Sequence, residues 1–374
     1  MPARRPGPRR GVAQGLPLTG RVRQLLPLVA LVAMSAGCDP YPLHRLAASG
    51  DVTGVQRELD RGTPVDSTDG YGETALHRAM HGGGLKVVTL LLEHGASANA
   101  PRRDGLKPLH CAAAYGRPNL VRVLLRHGAQ LEGVDDRGRT PLHVVAFFDR
   151  EEMIPILLEA GAQLEARDGG GRTPLHTAAW AGNLNAVREL VSSGADIRAT
   201  DALGRLPMHY LRGRLTKYSR PRLPILALFL SAGVEVDVRD GRGRTPLWEA
   251  ARLGDCVFVA AYIKAGADVN ALDPSGRTPL HAVLRASVML PARRTAVVRL
   301  LLDAGTDVNA ATPDGVAPLH LAAENGYTES LRLLLEHGAD RNLQTQDGHT
   351  PLDLARRAGQ EDVVRMLGGT DDGD

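Results

Sequence analysis

Aromatic side chains are scarce in this chain, with four Phe, two Trp and seven Tyr among 374 residues. Hydrophobic residues nevertheless make up 43% of it. Its core must therefore be built from small Ala and branched Leu and Val rather than from rings. Cysteine is almost missing: Cys38, Cys111 and Cys256 are the whole set, too few for a disulfide framework. The apolar stretch Leu25 to Ala36 has twelve mostly apolar residues, too short to span a bilayer as a helix. No phosphate-cradling glycine loop, Cys-x-x-Cys, His-Glu-x-x-His or Gly-x-Ser-x-Gly occurs, so the usual nucleotide, redox, zinc-hydrolase and serine-hydrolase signatures are all lacking. Nothing in the sequence supports catalysis, a cofactor, a metal or a small-molecule substrate.

Charge is missing as well, once its distribution is considered. The net charge is +3, but Arg4, Arg5, Arg9, Arg10, Arg21 and Arg23 all fall within residues 1–37, which hold no acid. Taking those six from the 45 basic residues leaves 39 against 42 acidic ones, a net of −3. The remaining chain has no basic excess of the kind that nucleic acid binding requires.

What the chain does have is repetition. Versions of Thr-Pro-Leu-His start at Tyr41, Thr74, Lys107, Thr140, Thr173, Leu206, Thr245, Thr278, Ala317 and Thr350. The spacing is 33 residues, widened to 39 at two steps. A fixed period in this range is the mark of a solenoid. The fifth unit shows the logic. Thr173 suits an N-cap, Pro174 suits the first helical position, and Leu175, Ala178 and Ala179 give a short helix with a narrow apolar face. Gly182 breaks it, and Asn183 to Ser192 reads as a second helix burying Ala186, Val187, Leu190 and Val191. Gly194 fits the left-handed residue beyond that helix, and Ala195 to Gly204 supplies a hairpin-like finger. One unit cannot bury both helices, so stacked neighbours must close the core. The fold class is all-α: helix-turn-helix units with short fingers.

The units resemble ankyrin repeats, with Asp273 to His281 and Gly266 to Asn270 nearly letter for letter on that family's pattern. The resemblance covers about residues 39–369. Local departures are Leu206 at the cap, Trp248 in place of His, and Asp353 in the last unit. The resemblance implies a non-catalytic scaffold that binds proteins, with the first helices and fingers lining a concave face.

Residues 1–37 read as a leader, with the arginines followed by an apolar run suited to a secretory signal. Ser35-Ala36-Gly37-Cys38 resembles the lipobox of bacterial lipoproteins, apart from Ser35 where Leu is usual. Cys38 is then the lipidation site, and the protein is exported to a bacterial envelope as a monomer. Ordinary cleavage without lipid implies a secreted or injected effector or inhibitor, and a leader that is no signal implies a cytosolic adaptor. The solenoid occupies 38–369, and 370–374 form an acidic, disordered tail. Cys111 and Cys256 lie about four layers apart and cannot pair. Units six and eight carry six extra residues between their helices, basic in both cases (212–223 and 285–295), which should project from one edge.

Two columns of side chains stand out as a partner-binding face. One is Arg139, Arg172, Arg205, Arg244 and Arg277, each following the finger glycine, although Arg there can also pair with the finger Asp. The other holds Tyr115, Phe147, Phe148 and Trp180, just after the Ala-Ala positions in three adjacent units. Aromatics and Arg are enriched among residues that carry binding energy. The eight tetrad histidines (His44, His77, His110, His143, His176, His209, His281, His320) sit one layer apart, too far for shared metal ligation. Hydrogen bonding to the capping Thr and backbone is their expected task.

Overall fold

Each Thr-Pro-Leu-His tetrad starts a layer of two antiparallel helices, and the layers stack in sequence order. The computed structural model describes residues 41–211 and 222–368. The leader 1–37, Cys38, the tail 370–374 and most of the insertion 212–223 lie outside the described residues. The chain divides into two units, Met1–Pro42 and Leu43–Asp374, and the stack of layers occupies the second.

The layers pair α1 (Pro42–Ser49) with α2 (Val52–Asp60), α3 (Ala75–Gly82) with α4 (Gly84–Glu93), and α5 (Pro108–Ala114) with α6 (Pro118–Arg126). Then come α7 (Pro141–Phe148) with α8 (Met153–Glu159), and α9 (Pro174–Ala181) with α10 (Leu184–Ser192). The sixth layer pairs a 3-10 turn, Pro207–Tyr210, with α11 (Leu223–Ser231). The last four pair α12 (Pro246–Leu253) with α13 (Cys256–Lys264), α14 (Pro279–Arg285) with α15 (Pro291–Asp303), α16 (Pro318–Glu324) with α17 (Thr328–Glu336), and α18 (Pro351–Arg357) with α19 (Glu361–Met366). First helices pack on first helices of neighbouring layers, and second on second.

The core runs continuously through this stack. Ala112, Ala113, Ala146, Ala178, Ala179, Ala322 and Ala323 of the first helices are essentially inaccessible. So are Val121, Leu124, Ile154, Leu157, Val187 and Leu190 of the second helices. The small side chains let first helices approach closely, which is the physical reason that so few aromatics are needed. Where rings are buried they are large plugs: Phe229, Phe258 and Tyr262 are at most 2% exposed.

The first helices share one kind of start, with Ala75 replacing Pro in layer two and Trp248 and Asp353 replacing His in layers seven and ten. The residue before the Pro is extended (Thr173 at φ −84°, ψ 167°) and Pro occupies the first turn. The histidine three residues on binds back to that cap: Thr173 N–H donates to His176 Nδ1 at 3.1 Å, and the Thr hydroxyl lies 2.9 Å from the same nitrogen. Nδ1 is thereby an acceptor, so Nε2 carries the proton. Nε2 donates across the layer to a backbone carbonyl of the next finger, Arg205 O at 2.9 Å. The same bridge recurs from His44 to Glu73, His77 to Leu106, His110 to Arg139, His143 to Arg172, His281 to Val316 and His320 to His349, all at 2.8–3.1 Å. Seven of the tetrad histidines, all but His209, therefore rivet their layer to the next.

The fingers are turns rather than hairpins. Among the described residues there is no strand, only an isolated bridge between Thr68 and Thr74. Most fingers close on an aspartate (Asp69, Asp135, Asp168, Asp201, Asp240 and Asp273), which accepts backbone N–H groups two and four residues ahead, as Asp168 does from Gly170 and Arg172. Successive fingers touch backbone to backbone, so their glycines are fixed. Gly105 has φ 77°, and a Cβ there would fall 2.4 Å from Asp136 N.

Two expectations are corrected by the structure. Layer six has no first α-helix among its described residues, only the short 3-10 turn. A missing cap hydroxyl does not account for this, since Lys107 and Ala317 start α-helices without one; His209 Nε2 lacks a hydrogen bond of good geometry to the next finger. The second insertion does not simply project either. Val288 is 99% exposed at its tip, but the remainder extends α15 to thirteen residues. Within it Arg294 turns inward to 4% exposure, where Nη2 donates to Ala286 O at 2.9 Å and the guanidinium sits 3.5 Å from the Tyr327 ring centre.

Candidate functional site

The C-terminal ends of α5, α7 and α9 place aromatic rings side by side in layers three to five. Phe147 and Trp180 are stacked, with ring centres 5.8 Å apart and planes 24° from parallel. Phe148 meets Phe147 edge-on at 5.0 Å. All three are half-buried. Tyr115 belongs to a different pair, with its ring edge-on to His81 of the preceding layer at 5.0 Å. Among the described residues Tyr115 makes no ring contact with the trio, so the column is a trio and a pair. Burial raises the Tyr115 hydroxyl to about 12.

The trio is held from behind by polar groups. Asn183, 3% exposed, donates its amide to Ala146 O at 2.8 Å and Phe147 O at 2.6 Å, closing the end of α7. Arg222 Nη2 donates to Trp180 O at 2.8 Å. Asp149 ends α7 in the left-handed region, φ 58°, where units five and seven use Gly182 and Gly254, and its Oδ1 accepts Ala186 N–H at 3.3 Å. An Asp tolerates this conformation better than most side chains. The rings are thus presented on fixed backbone, with little rotamer freedom left to lose on contact.

The arginine column is built differently from a free ladder of charge. Arg139, Arg172, Arg205 and Arg244 pair with the buried aspartates Asp135, Asp168, Asp201 and Asp240 at 2.6–2.8 Å. These arginine side chains remain 17–33% exposed. Burial opposes ionisation of Asp201, but the Tyr210 hydroxyl, Arg205 and backbone N–H groups outweigh it and hold the carboxyl at about 2. The same balance of burial against the arginine keeps Asp168 and Asp240 below the usual carboxylate range. Tyr210 donates to Asp201 at 2.5 Å while the Arg205 guanidinium lies 4.5 Å from its ring centre. These four arginines first of all fasten their fingers. Arg277, the fifth, keeps only the backbone bond to Asp273, and its guanidinium makes no ion pair among the described residues.

The histidines face inward. Burial lowers the imidazoles of His77, His110, His143, His176, His209, His281 and His320, His110 and His176 to about 4, and in all of these but His209 both ring nitrogens are committed to backbone. His94, His127 and His337 use Nδ1 to donate to the carbonyl four residues back, at 2.8–3.0 Å, closing second helices. Cys111 is buried, its thiol raised to about 12 by that burial, and Cys256 is a second free thiol. Among the described residues no group of three or more His, Cys, Asp or Glu converges as a metal site. No described helix is long and apolar enough to cross a membrane.

Sequence reasoning did not anticipate Asn183 or Tyr210 as supports, because their partners are backbone atoms or lie one layer away. It also passed over Arg285, which occupies the same column as Phe147 and Trp180, one unit beyond the corresponding Arg252. A family model described as ankyrin repeats, three copies per model, matches residues 43–135, 129–201, 218–312 and 286–372. No curated protein matches the chain.

Proposed function

The chain belongs to the ankyrin repeat family, whose arrays generally mediate protein–protein interactions, and we propose that it is a non-catalytic scaffold holding a protein partner on the face that carries its first helices and fingers. The observation that carries this reading is the Phe147–Trp180 stack, left half-exposed on backbone fixed by Asn183 and Arg222. An apolar surface held in one conformation binds without the entropy cost of ordering it first. On this reading the partly exposed guanidinium groups of Arg139, Arg172 and Arg205 offer polar contacts in the same layers, Arg244 and Arg277 continue the column, and the Tyr115–His81 pair offers a second, separate apolar patch. Ankyrin repeat proteins are typically non-catalytic scaffolds, and the histidines here are consumed as rivets rather than left free for proton transfer.

The test is partner capture by the wild type beside Phe147→Ala and Trp180→Ala. Loss of an anchor ring from an interface centre costs about 2 kcal/mol or more, roughly thirtyfold in affinity. Undiminished capture by both folded variants removes the aromatic face from consideration.

The proposed place of action is a bacterial envelope, with Cys38 as lipid acceptor. The support is in the sequence: six arginines, the apolar run Leu25 to Ala36, and Ala36-Gly37-Cys38. Intact mass and membrane fractionation beside a Cys38→Ala variant decide it. Acyl mass on a chain starting at Cys38, lost in the variant, supports anchoring. A processed chain without acyl mass points to a secreted effector or inhibitor, and an unprocessed one to a cytosolic adaptor.

A further inference from the structure

Layer seven contains a template for a site that layer eight leaves empty of acid. In layer seven Arg252 grips Glu249, with Nε and Nη2 donating to the two carboxylate oxygens at 2.9 and 2.5 Å. Arg244 Nη1 approaches the same carboxylate at 3.4 Å. Two arginines in fixed columns thus close on one carboxylate, the charge-assisted fork that guanidinium groups form most strongly. Layer eight repeats both arginines, as Arg277 and Arg285, at the same places relative to its cap. Where Glu249 stands in layer seven, layer eight has Ala282, buried at 2% exposure.

The consequence is a pair of cations whose one nearby acid in the layer, Asp273, accepts the backbone N–H groups of Ser275 and Arg277 and makes no ion pair with either guanidinium. Neither guanidinium makes an ion pair or hydrogen bond among the described residues. Both line one recess of about 220 Å³, open to solvent, between layers eight and nine. Its other walls include His281, Thr312, Asp314 and Leu321. His281 is already committed at both nitrogens, to Thr278 and to the Val316 carbonyl. Asp314 is the one acid among the lining residues and is exposed, so the lining itself holds two cations against one acid.

We propose that this recess receives a carboxylate side chain from an acidic segment of the partner protein, held between Arg277 and Arg285 as Glu249 is held between Arg244 and Arg252. The assignment deepens the reading of the array as a partner-binding scaffold and rests on it. The recess lies three layers from Trp180, roughly 30 Å at about 10 Å per layer. An extended segment of about nine residues spans that length, so one peptide with an apolar end and an acidic end reaches both places.

The experiment uses the full chain and a fluorescein-labelled Gly/Ser peptide carrying a central Glu-Glu pair, read by fluorescence anisotropy at low salt. The Gln-Gln counterpart should bind at least tenfold more weakly. Arg277→Gln combined with Arg285→Gln should weaken the Glu peptide at least tenfold. Ala282→Glu should do the same by supplying the missing carboxylate from within, and if that variant does not fold, the double arginine variant decides alone. Arg188→Gln, an exposed cation on α10, and Trp180→Ala should leave binding of this peptide unchanged. Wild-type affinity in a folded Ala282→Glu variant overturns the proposal. Equal weakening by Arg188→Gln overturns it too, since general attraction then explains binding, as does displacement by inorganic phosphate at concentrations where the Glu peptide is not displaced by acetate. Trp180→Ala tests the aromatic face through partner capture instead, so the two readings fail separately.

Discussion

Lowering the pH from 7 to 4.5 should unfold this array well before its aspartates titrate. Seven tetrad histidines, His77, His110, His143, His176, His209, His281 and His320, are lowered chiefly by burial. In all of them but His209 the neutral form is used twice, since Nδ1 accepts from the cap and Nε2 donates to the next layer, as in His176. Protonating Nδ1 destroys the first of these bonds. In the unfolded chain the imidazole takes its proton near pH 6.5, whereas in the fold His110 and His176 wait until about 4. A lowered folded-state value means that the unfolded state binds the proton first. The stabilisation is therefore complete above about pH 6.5, is lost steadily as the pH falls toward 4, and changes little below that. For His110 and His176 a shift of about 2.5 units corresponds to about 3 kcal/mol each. Two such groups alone remove about 6 kcal/mol, comparable to the whole stability of many domains. The assay is the urea midpoint by circular dichroism, measured at half-unit steps of pH. A flat midpoint from pH 7 to 4.5 refutes the reasoning. So does a fall confined below pH 4, which would assign the response to carboxylates such as Asp201, held at about 2.

Two further predictions concern packing. Tyr262→Ala empties a site that is 1% exposed in α13, and should lower the unfolding free energy by about 3–5 kcal/mol in a urea titration. Gly105→Ala asks a side chain to adopt φ 77° with its Cβ 2.4 Å from the Asp136 backbone nitrogen. It should cost about 2 kcal/mol or more, while the matching change at Gly128, which meets nothing within 4 Å, should cost about 1 kcal/mol from the backbone conformation alone.

Much of the fold can be read from the tetrad because its instructions are local. Thr, Pro and the residue three places on act within one helical turn, and the glycine ends act within one loop, so period and pattern suffice. The second insertion resisted reading because nothing in the order of its residues says that Arg294 will find the Tyr327 ring one layer further on. Layer six resisted too: Pro207 and His209 promise a helix, yet the described part of the layer closes only a 3-10 turn, although Lys107 and Ala317, equally without a cap hydroxyl, start helices. In the candidate site, Phe147 and Trp180 were legible as neighbours from their shared column. Tyr115 was not legible as separate, because its one-residue offset turns it toward His81 instead. The arginine column showed its position but not its occupancy. Whether each guanidinium is bound depends on the finger aspartate and on the residue five places on, Glu249 in one layer and Ala282 in the next.

The histidine bridges have a mechanical meaning. From His44 to His176 every junction carries one, and His281 and His320 carry one each, but between them His209 does not reach its carbonyl and Trp248 leaves its indole nitrogen unpaired. The chain is thus riveted at both ends, while the middle junctions lack this bridge and are held by finger bonds such as Gly241 N–H to Leu203 O at 2.9 Å and Asp268 N–H to Asp237 Oδ2 at 3.0 Å. Pulled along its axis, or worked by a partner that grips both ends, the array yields at layers six and seven first. A load that would otherwise be shared by all the joints is concentrated at these two.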